Sequence, residues 1–217
     1  MRSREKDAAQ MAVKRQAFLD AAFELFAAKG IEAVSLDSIA RKSGYGIATL
    51  YRHFSSKVSL AMELASQKWA DYISRYEASV TKDEMDRMTG AEYMKFYLDS
   101  FLDLFRNDKE MLRFNYDLNS FLRKEKHGPE HVKPYLLVVD RLGETFHGMY
   151  QRGVRDGTLN SSIPEATMFS SSFHIMMAAV TRYAVGLVYL LEQGSDPETE
   201  LEMLENMLLK EYTRQPD

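Results

Sequence analysis

The stretch 35–57, with the sequence SLDSIARKSGYGIATLYRHFSSK, constrains the fold more than any other part of the chain. Ser35 is a favourable N-cap residue for a short helix. Gly44 and Gly46 mark a tight turn, and apolar residues recur at helical spacing on both sides of it. The stretch therefore predicts two short helices joined by a Gly-containing turn, which is the arrangement of a helix-turn-helix.

Three residues at and around the turn suit the geometry of such a motif. Ala40 is small enough for two helices to cross closely, Gly44 can adopt the left-handed backbone of a sharp turn, and Leu50 fills the angle between the helices. In a helix-turn-helix the second helix enters the major groove of DNA. Four of its five predicted outward side chains can hydrogen-bond to phosphates or base edges. The outward residues are Ala48, Thr49, Tyr51, Arg52 and His53.

These residues carry a resemblance to a known family. The run comprises Ile39-Ala40, Gly44, Thr49-Leu50-Tyr51-Arg52-His53-Phe54 and Lys57. It resembles the DNA-binding domain of the TetR family of bacterial transcriptional regulators. The upstream segment FLDAAFELFAAKGIEAVSLDSIA is similar to the first helix of that family leading into the motif. The resemblance covers roughly residues 13 to 64, and beyond residue 64 only the length and the helical pattern are similar.

The resemblance implies a ligand-responsive transcriptional regulator, a repressor that binds a palindromic operator in double-stranded DNA as a homodimer. Arg52 is the best candidate for a bidentate contact to guanine. The residues expected to contact phosphates are Ser35, Arg41, Tyr51 and Lys57. The residues expected to face base edges are Ile47, Ala48, Thr49, Arg52 and His53. The first two of these offer only apolar contact, for instance to thymine methyl groups.

The sequence departs from the family pattern at two positions. Gly46 stands where the family usually has Ser or Thr, so a side-chain hydrogen bond at the N-cap of the recognition helix is lost. Val58 stands where the family often has Glu, so no capping box with Ser55 is expected. The helix after Phe54 is therefore predicted to start less firmly.

The charge of the chain is divided unevenly along its length. The formal net charge of the 217 residues is −4 at pH 7. Residues 1–60 nevertheless carry 10 Lys and Arg against 6 Asp and Glu, whereas residues 61–217 carry 18 against 26. A basic N-terminal part on an acidic body is typical of a phosphate-binding module attached to a domain of another kind.

Composition excludes several classes of protein. The chain has no Cys, which rules out disulfides, thiolate zinc sites and cysteine nucleophiles. No apolar run approaches the roughly 18 residues of a membrane span, and the N-terminal MRSREKDAAQ lacks the apolar core of a signal peptide. We therefore expect a cytoplasmic protein without a membrane partner. The polar residues 1–12 are interpreted as a frayed tail or, alternatively, as a basic arm that reaches DNA.

Helical periodicity continues to the end of the chain and predicts an all-α fold. The expected domains are an N-terminal three-helix helix-turn-helix domain at 1–57 and a larger helical ligand-binding and dimerisation domain at 58–217. A long helix from about residue 56 to about residue 80 joins them, followed by a charged connection at 81–90. Further helices are expected near 91–106, 107–124, 132–154, 164–193 and 197–214.

The predicted second domain is rich in Phe, Tyr and Met. Such residues usually pack a core, but apolar walls with a few polar groups also compose small-molecule pockets. With the family resemblance, this composition favours a pocket for a small, largely apolar or aromatic effector. The candidate lining residues are Phe96, Phe101, Phe114, Phe121, His147, Tyr150, Phe173, His174 and Met177.

The last two predicted helices are expected to form the dimer interface, as they usually do in the family. The segment MMAAVTRYAVGLVYLLEQ is apolar nearly all round, and a helix that is apolar on more than one face must bury both faces. The final helix adds Leu201, Leu204, Leu208 and Leu209. The alternative is that a single chain buries both faces itself.

An enzyme is not expected. The sequence has no HExxH, no GxSxG, no Walker loop and no GxGxxG run before a helix. His127 and His131 have the spacing of a zinc pair, but Gly128-Pro129 separates them, so neither a metal site nor a cofactor is predicted. The alternative function is a DNA-binding protein of the same fold whose C-terminal domain binds a protein partner or no ligand.

Overall fold

A computed structural model of the chain describes residues 2–125, 128–187 and 196–214. These residues contain ten α-helices and no strand apart from an isolated β-bridge between Leu159 and Thr213. The helices are α1 (Arg2–Lys29), α2 (Leu36–Ser43), α3 (Ile47–His53), α4 (Lys57–Glu77), α5 (Lys82–Arg87), α6 (Gly90–Asn107), α7 (Lys109–Lys124), α8 (Pro129–Arg155), α9 (Glu165–Ala184) and α10 (Pro197–Tyr212). The predicted all-α fold class is confirmed.

Three helices differ from their predicted extent. α1 includes the residues expected to be a frayed tail. α5 lies within the expected connection because Thr81 starts it with a capping box, in which its hydroxyl and a glutamate three residues later satisfy each other's backbone N–H groups. α9 ends at Ala184, well before the predicted residue 193. Two residues later, Gly186 adopts a left-handed backbone with φ of 76°.

Two expectations involve residues outside the described ranges. They are the zinc pair that was considered and not predicted, which contains His127, and the part of the predicted dimer segment at 188–193. Within the described ranges, none of the helices combines the length and the apolar character needed to cross a membrane.

The chain divides into two compact units. Unit 1 comprises residues 1–70 and 113–137, and unit 2 comprises residues 71–112 and 138–217. The predicted boundary between residues 57 and 58 does not coincide with this division. α4 belongs to unit 1 as far as residue 70, and α7 from residue 113 onwards also belongs to unit 1, with the first part of α8.

Unit 1 is built around a core of apolar side chains from α1, α2, α3, α4 and α7. Phe26 and Leu50 in this core are fully buried, and α7 contributes Phe114, Leu118 and Phe121 to it. The rings of Phe26 and Phe114 are stacked with their centroids 6.2 Å apart. Burial of each large side chain contributes roughly 1.5–3 kcal/mol, so the α7 residues are a substantial part of what stabilises this unit.

Unit 2 packs α6 against α9, α10 and α8. The crossing of α6 and α8 brings backbones into contact, because a Cβ atom on Gly90 would lie 2.0 Å from the Cα atom of Gly153. The first N–H groups of α6 are satisfied across this crossing. Gly90 donates to the Asp156 carboxylate at 2.7 Å, and Ala91 donates to the Thr158 hydroxyl at 2.9 Å.

Candidate nucleic-acid interface

The supporting helix α2 is capped at both ends by its own neighbours. The Ser35 hydroxyl accepts a hydrogen bond from the Ser38 N–H at 3.2 Å. At the other end Gly44 has φ of 78°, and its N–H donates to the Arg41 carbonyl at 3.2 Å. The Arg41 guanidinium also pairs with the Asp37 carboxylate at 2.9 Å. Local contacts of these kinds hold α2 in helical form.

The second helix, α3, has only seven residues. Gly46 is its N-cap and provides no side-chain hydrogen bond, as the sequence predicts. Leu50 is completely buried and is the anchor of the helix in the core. At its end the Phe54 N–H donates to the Leu50 carbonyl at 2.9 Å. Since isolated helices this short are not stable in water, the helical form of α3 depends on tertiary contacts.

The exposed face of α3 matches the predicted reading face at three positions. Ala48, Tyr51 and Arg52 are exposed, with Tyr51 55% accessible, while Ile47 and Thr49 are half-buried. Within the described part of the chain, neither the Arg52 guanidinium nor the Tyr51 hydroxyl has a protein partner. Both groups are therefore available to a ligand outside the chain.

His53 lies partly against the core and not wholly outward as predicted. Its ring centroid is 5.8 Å from that of Phe18 and 6.4 Å from that of Phe54. Burial lowers the pKa of His53, and the positive charges of Arg15 and Lys14 lower it further. The imidazole is therefore held in its neutral form more strongly than a free histidine.

Lys57 has a structural role that the sequence analysis missed. Its ammonium group donates to the carbonyls of Ile31, Glu32 and Val34 at 2.9, 3.2 and 3.1 Å. The same ammonium lies 5.1 Å from the centroid of the Phe121 ring. All three of its N–H groups are thus used within unit 1, and none remains for a phosphate in this conformation.

The start of α4 is firmer than predicted. Ser56 and Ser59 form a reciprocal pair in which the Ser59 N–H donates to the Ser56 hydroxyl at 3.0 Å and the Ser56 N–H donates to the Ser59 hydroxyl at 3.1 Å. Ser59 therefore provides the side-chain hydrogen bond that a Glu at position 58 often provides in the family. The capping serine is Ser56, one residue after the Ser55 at which the family's capping box would begin.

The nine residues predicted to line one pocket are divided between the two units. Phe114 and Phe121 belong to the core of unit 1, whereas the other seven lie in unit 2. This division has a simple cause. α7 is amphipathic along its length, and periodicity shows which face is buried without showing which neighbours cover it.

In unit 2, Phe101 and Phe173 do contact each other, with ring centroids 5.9 Å apart. Their neighbours include Phe146 and Phe169, 5.0 Å apart, and Tyr97, whose pKa is raised by burial. The other predicted residues of this unit are Phe96, Tyr150 and Met177, which are half-buried, and His147 and His174, which are exposed. The exposed His147 ring nitrogen Nδ1 lies 2.9 Å from the Glu165 carboxylate.

A cavity of about 570 Å³ opens on the surface of α7 in unit 1. It is lined by Tyr116, Asn119, Ser120, Leu122 and Arg123. None of the nine predicted pocket residues lines this cavity.

Arg15 is a further residue whose role was not predicted from the sequence. Its guanidinium contacts the Glu63 carboxylate and the His53 carbonyl, which lie 48 and 38 residues away along the chain. No local pattern signals such partners, and a basic residue on the first helix is otherwise unremarkable.

The helix-turn-helix lies in the part of the chain that is similar to a known protein family. A model of the family described as bacterial regulatory proteins, tetR family, matches residues 18–64, which include α2 and α3. The match shows that residues 18–64 are similar to the DNA-binding region of that family. Among curated proteins it is 33% identical over 98 residues to the HTH-type transcriptional regulator SAB2452 of Staphylococcus aureus, covering 45% of this chain and 51% of that protein. The chain spans about half the length or less of the curated relatives it matches.

Solved structures of transcriptional regulators share the fold at low sequence identity. A putative transcriptional regulator from Saccharomonospora viridis, in complex with choline, has a TM-score of 0.70 at 16% identity, covering 93% of this chain and 98% of that chain. The regulator FadR from Bacillus subtilis, in complex with stearoyl-CoA, has a TM-score of 0.68 at 17% identity, covering 90% and 98%. At such identities the likeness concerns the fold.

Proposed function

We propose that this TetR-family protein is a ligand-responsive repressor that binds operator DNA through α3. The observation that carries the proposal is the exposed Arg52 and Tyr51 on the second helix of a helix-turn-helix, both without a protein partner in the described ranges. A guanidinium in the major groove is suited to the O6 and N7 atoms of guanine. A bacterial cytoplasmic location follows from the same proposal.

The proposed division of contacts keeps the sequence-based assignment with one change. Ser35, Arg41 and Tyr51 are assigned to phosphates. Ile47, Ala48, Thr49, Arg52 and His53 are assigned to base edges. The hydrogen bonds of the Lys57 ammonium instead favour a role in holding the turn between α1 and α2.

A homodimer through α9 and α10 is supported by apolar side chains exposed on these helices. Ile175 is 40% accessible, and Met203 and Met207 are 64% and 62% accessible. Leu201 and Leu208, on the other face of α10, are buried within the chain. A two-fold dimer would present two copies of α3 to a palindromic operator.

An effector in the C-terminal part is supported by the aromatic cluster around Phe101 and Phe173, and by structural relatives solved with choline and stearoyl-CoA. We propose a small, largely apolar or aromatic effector. Release from DNA requires that the effector bind the DNA-incompetent state more tightly, and a coupling of about 1–3 kcal/mol shifts DNA affinity roughly 5–150-fold. The alternative is a C-terminal domain that binds a protein partner or no ligand.

The proposal is tested by selecting genomic fragments with the purified protein at low and at moderate salt. We expect enrichment of one short palindrome at both salt concentrations. Contacts to bases add binding free energy to that of the phosphate contacts, which weaken as salt increases. Weak binding without sequence preference at both salt concentrations, or no binding, would contradict the proposal.

Replacing the guanidinium on the reading face gives a first prediction. Arg52→Ala should reduce operator affinity by about 1–3 kcal/mol and relax preference at one base pair, because one bidentate contact is lost. Affinity is measured by titration against the operator and all single-base variants. Arg155→Ala, in unit 2, is the charge-matched control. Unchanged base preference in Arg52→Ala would mean that Arg52 does not face a base.

A further inference from the structure

We propose that Arg15, on α1, is a positioning residue for DNA recognition that fixes the C-terminal end of α3. The inference rests on the proposed function, in which α3 reads the operator. Arg15 itself is not assigned a contact to DNA.

The Arg15 guanidinium makes hydrogen bonds to two other helices. Its Nε and Nη2 atoms donate to the two carboxylate oxygens of Glu63 on α4, with Nε to Oε1 at 2.5 Å. Its Nη1 atom donates to the His53 carbonyl on α3 at 3.1 Å. The planar fork of an arginine suits this two-point contact to a carboxylate, and a lysine cannot reproduce it.

The carbonyl that Arg15 binds is at a sensitive place. His53 is the last residue of α3, and the final carbonyls of a helix have no partner within the helix. A cation is also favourable there because the C-terminus carries the negative end of the helix dipole. Arg15 therefore satisfies and orients the end of the recognition helix.

The N-terminal end of α3 has no charged hydrogen bond of this kind, and the half-buried Ile47 is what packs against the core there. Gly46 forms no side-chain cap, and Leu50 is the buried side chain of the helix. One buried side chain restrains where the helix lies better than it restrains rotation about that point. The hydrogen bond from Arg15 to the His53 carbonyl adds a second fixed point, which limits this rotation. The Arg15 guanidinium also lies 4.6 Å from the Phe54 ring centroid.

The same contacts contribute little to overall stability. The side chains of Arg15 and Glu63 are 38% and 31% accessible, and partly exposed ion pairs are weak because water screens them. Loss of the ion pair should therefore shift α3 measurably but change the melting temperature of the chain little. This difference separates a positioning residue from a merely structural one.

The test uses the full chain with Arg15→Lys and, as a second way to break the pair, Glu63→Gln. Arg106→Lys is the matched control, because Arg106 likewise donates to the carboxylates of Glu198 and Glu202 at 2.5 and 2.8 Å but lies in unit 2. Three quantities are measured: the ratio of affinities for the selected operator and a scrambled duplex, the melting temperature, and amide hydrogen exchange of α2 and α3 without DNA.

We expect the affinity ratio to fall about tenfold in both variants, as for the loss of one hydrogen bond from a charged donor. Affinity for the scrambled duplex and the melting temperature should stay close to those of the wild type. Exchange should accelerate at the α3 amides and remain unchanged in α2. Arg106→Lys should alter neither the ratio nor the exchange of α3.

Two results would overturn the inference. An unchanged ratio with unchanged α3 exchange would show that Arg15 does not position the helix. A parallel loss of both affinities, with a lower melting temperature and faster exchange throughout unit 1, would show a purely structural role. If the wild type itself preferred no sequence, the proposed function would fail, and the exchange of α3 would still decide whether Arg15 holds it.

Discussion

The two helices of the helix-turn-helix are nearly equal in length but are held in different ways. α2, with eight residues, has a serine cap, a left-handed glycine and an internal ion pair. α3, with seven residues, has no side-chain N-cap and relies on Leu50 and the Arg15 contact. The comparison suggests that the helix proposed to read DNA keeps its surface groups free of local bonds, and that other elements supply its restraint.

The largest expected effect comes from removing the anchor of α3. Leu50→Ala should lower the free energy of unfolding by about 2–5 kcal/mol, because a completely buried side chain is truncated and leaves a cavity. Chemical denaturation measures the loss. Tyr51→Ala, on the exposed face, should change stability by no more than about 0.5 kcal/mol. Similar values for the two variants would contradict the view that α3 is held from one side.

A smaller effect is expected at the end of α2. Gly44→Ala should lower the unfolding free energy by about 1–2 kcal/mol, since φ of 78° is strained for any residue with a Cβ atom. No atom beyond the two adjacent residues lies within 4 Å of the added methyl group, so backbone strain is the expected cause. Gly148→Ala provides the control, because Gly148 lies within α8, has no positive φ and has open space around it. Equal destabilisation of both variants would refute this explanation.

Removing the other cap of α2 should have a slightly smaller effect. Ser35→Ala should reduce the unfolding free energy by about 1 kcal/mol, because the N–H of Ser38 loses its acceptor. The change is read from the denaturation midpoint and from faster amide exchange in the first turn of α2. An exposed serine within a helix, Ser170, serves as the control. No change in α2 exchange would show that the cap is dispensable.

The smallest effect is a gain at the start of α3. Gly46→Ser should raise the unfolding free energy by a few tenths of a kcal/mol, because the extended backbone there permits a side-chain cap. This substitution would give α3 a serine N-cap like that of α2. Its effect is measured by the denaturation midpoint and by amide hydrogen exchange of α3. A lower midpoint would mean that the open space around Gly46 is needed for another reason.

The sequence allows local features of unit 1 to be predicted well. Ser35, Gly44 and the uncapped Gly46 all have the roles expected of them, because each depends on residues within a few positions. The roles of Arg15 and Lys57 escaped prediction because their partners lie far away along the chain. The site residues proposed to touch DNA remain predictions.

The place of Phe114 and Phe121 in the core of unit 1 escaped prediction for another physical reason. Both residues were correctly expected to be buried on an amphipathic helix. Periodicity gives the phase of a helix, but a buried aromatic ring looks the same in a ligand pocket and in the core beneath a recognition motif. The second unit was therefore predicted as an assembly of helices without a reliable set of pocket residues.

The contribution of α7 to the core of unit 1 affects how such proteins can be recombined. The family match ends at residue 64, which suggests a cassette that could be cut out and grafted onto another sensor. A graft ending at residue 70 would leave Phe26 without Phe114, and Lys57 without Phe121. A working chimera should therefore inherit residues 113–137 from the same parent as its first 70 residues, so that two separate pieces of sequence are exchanged together.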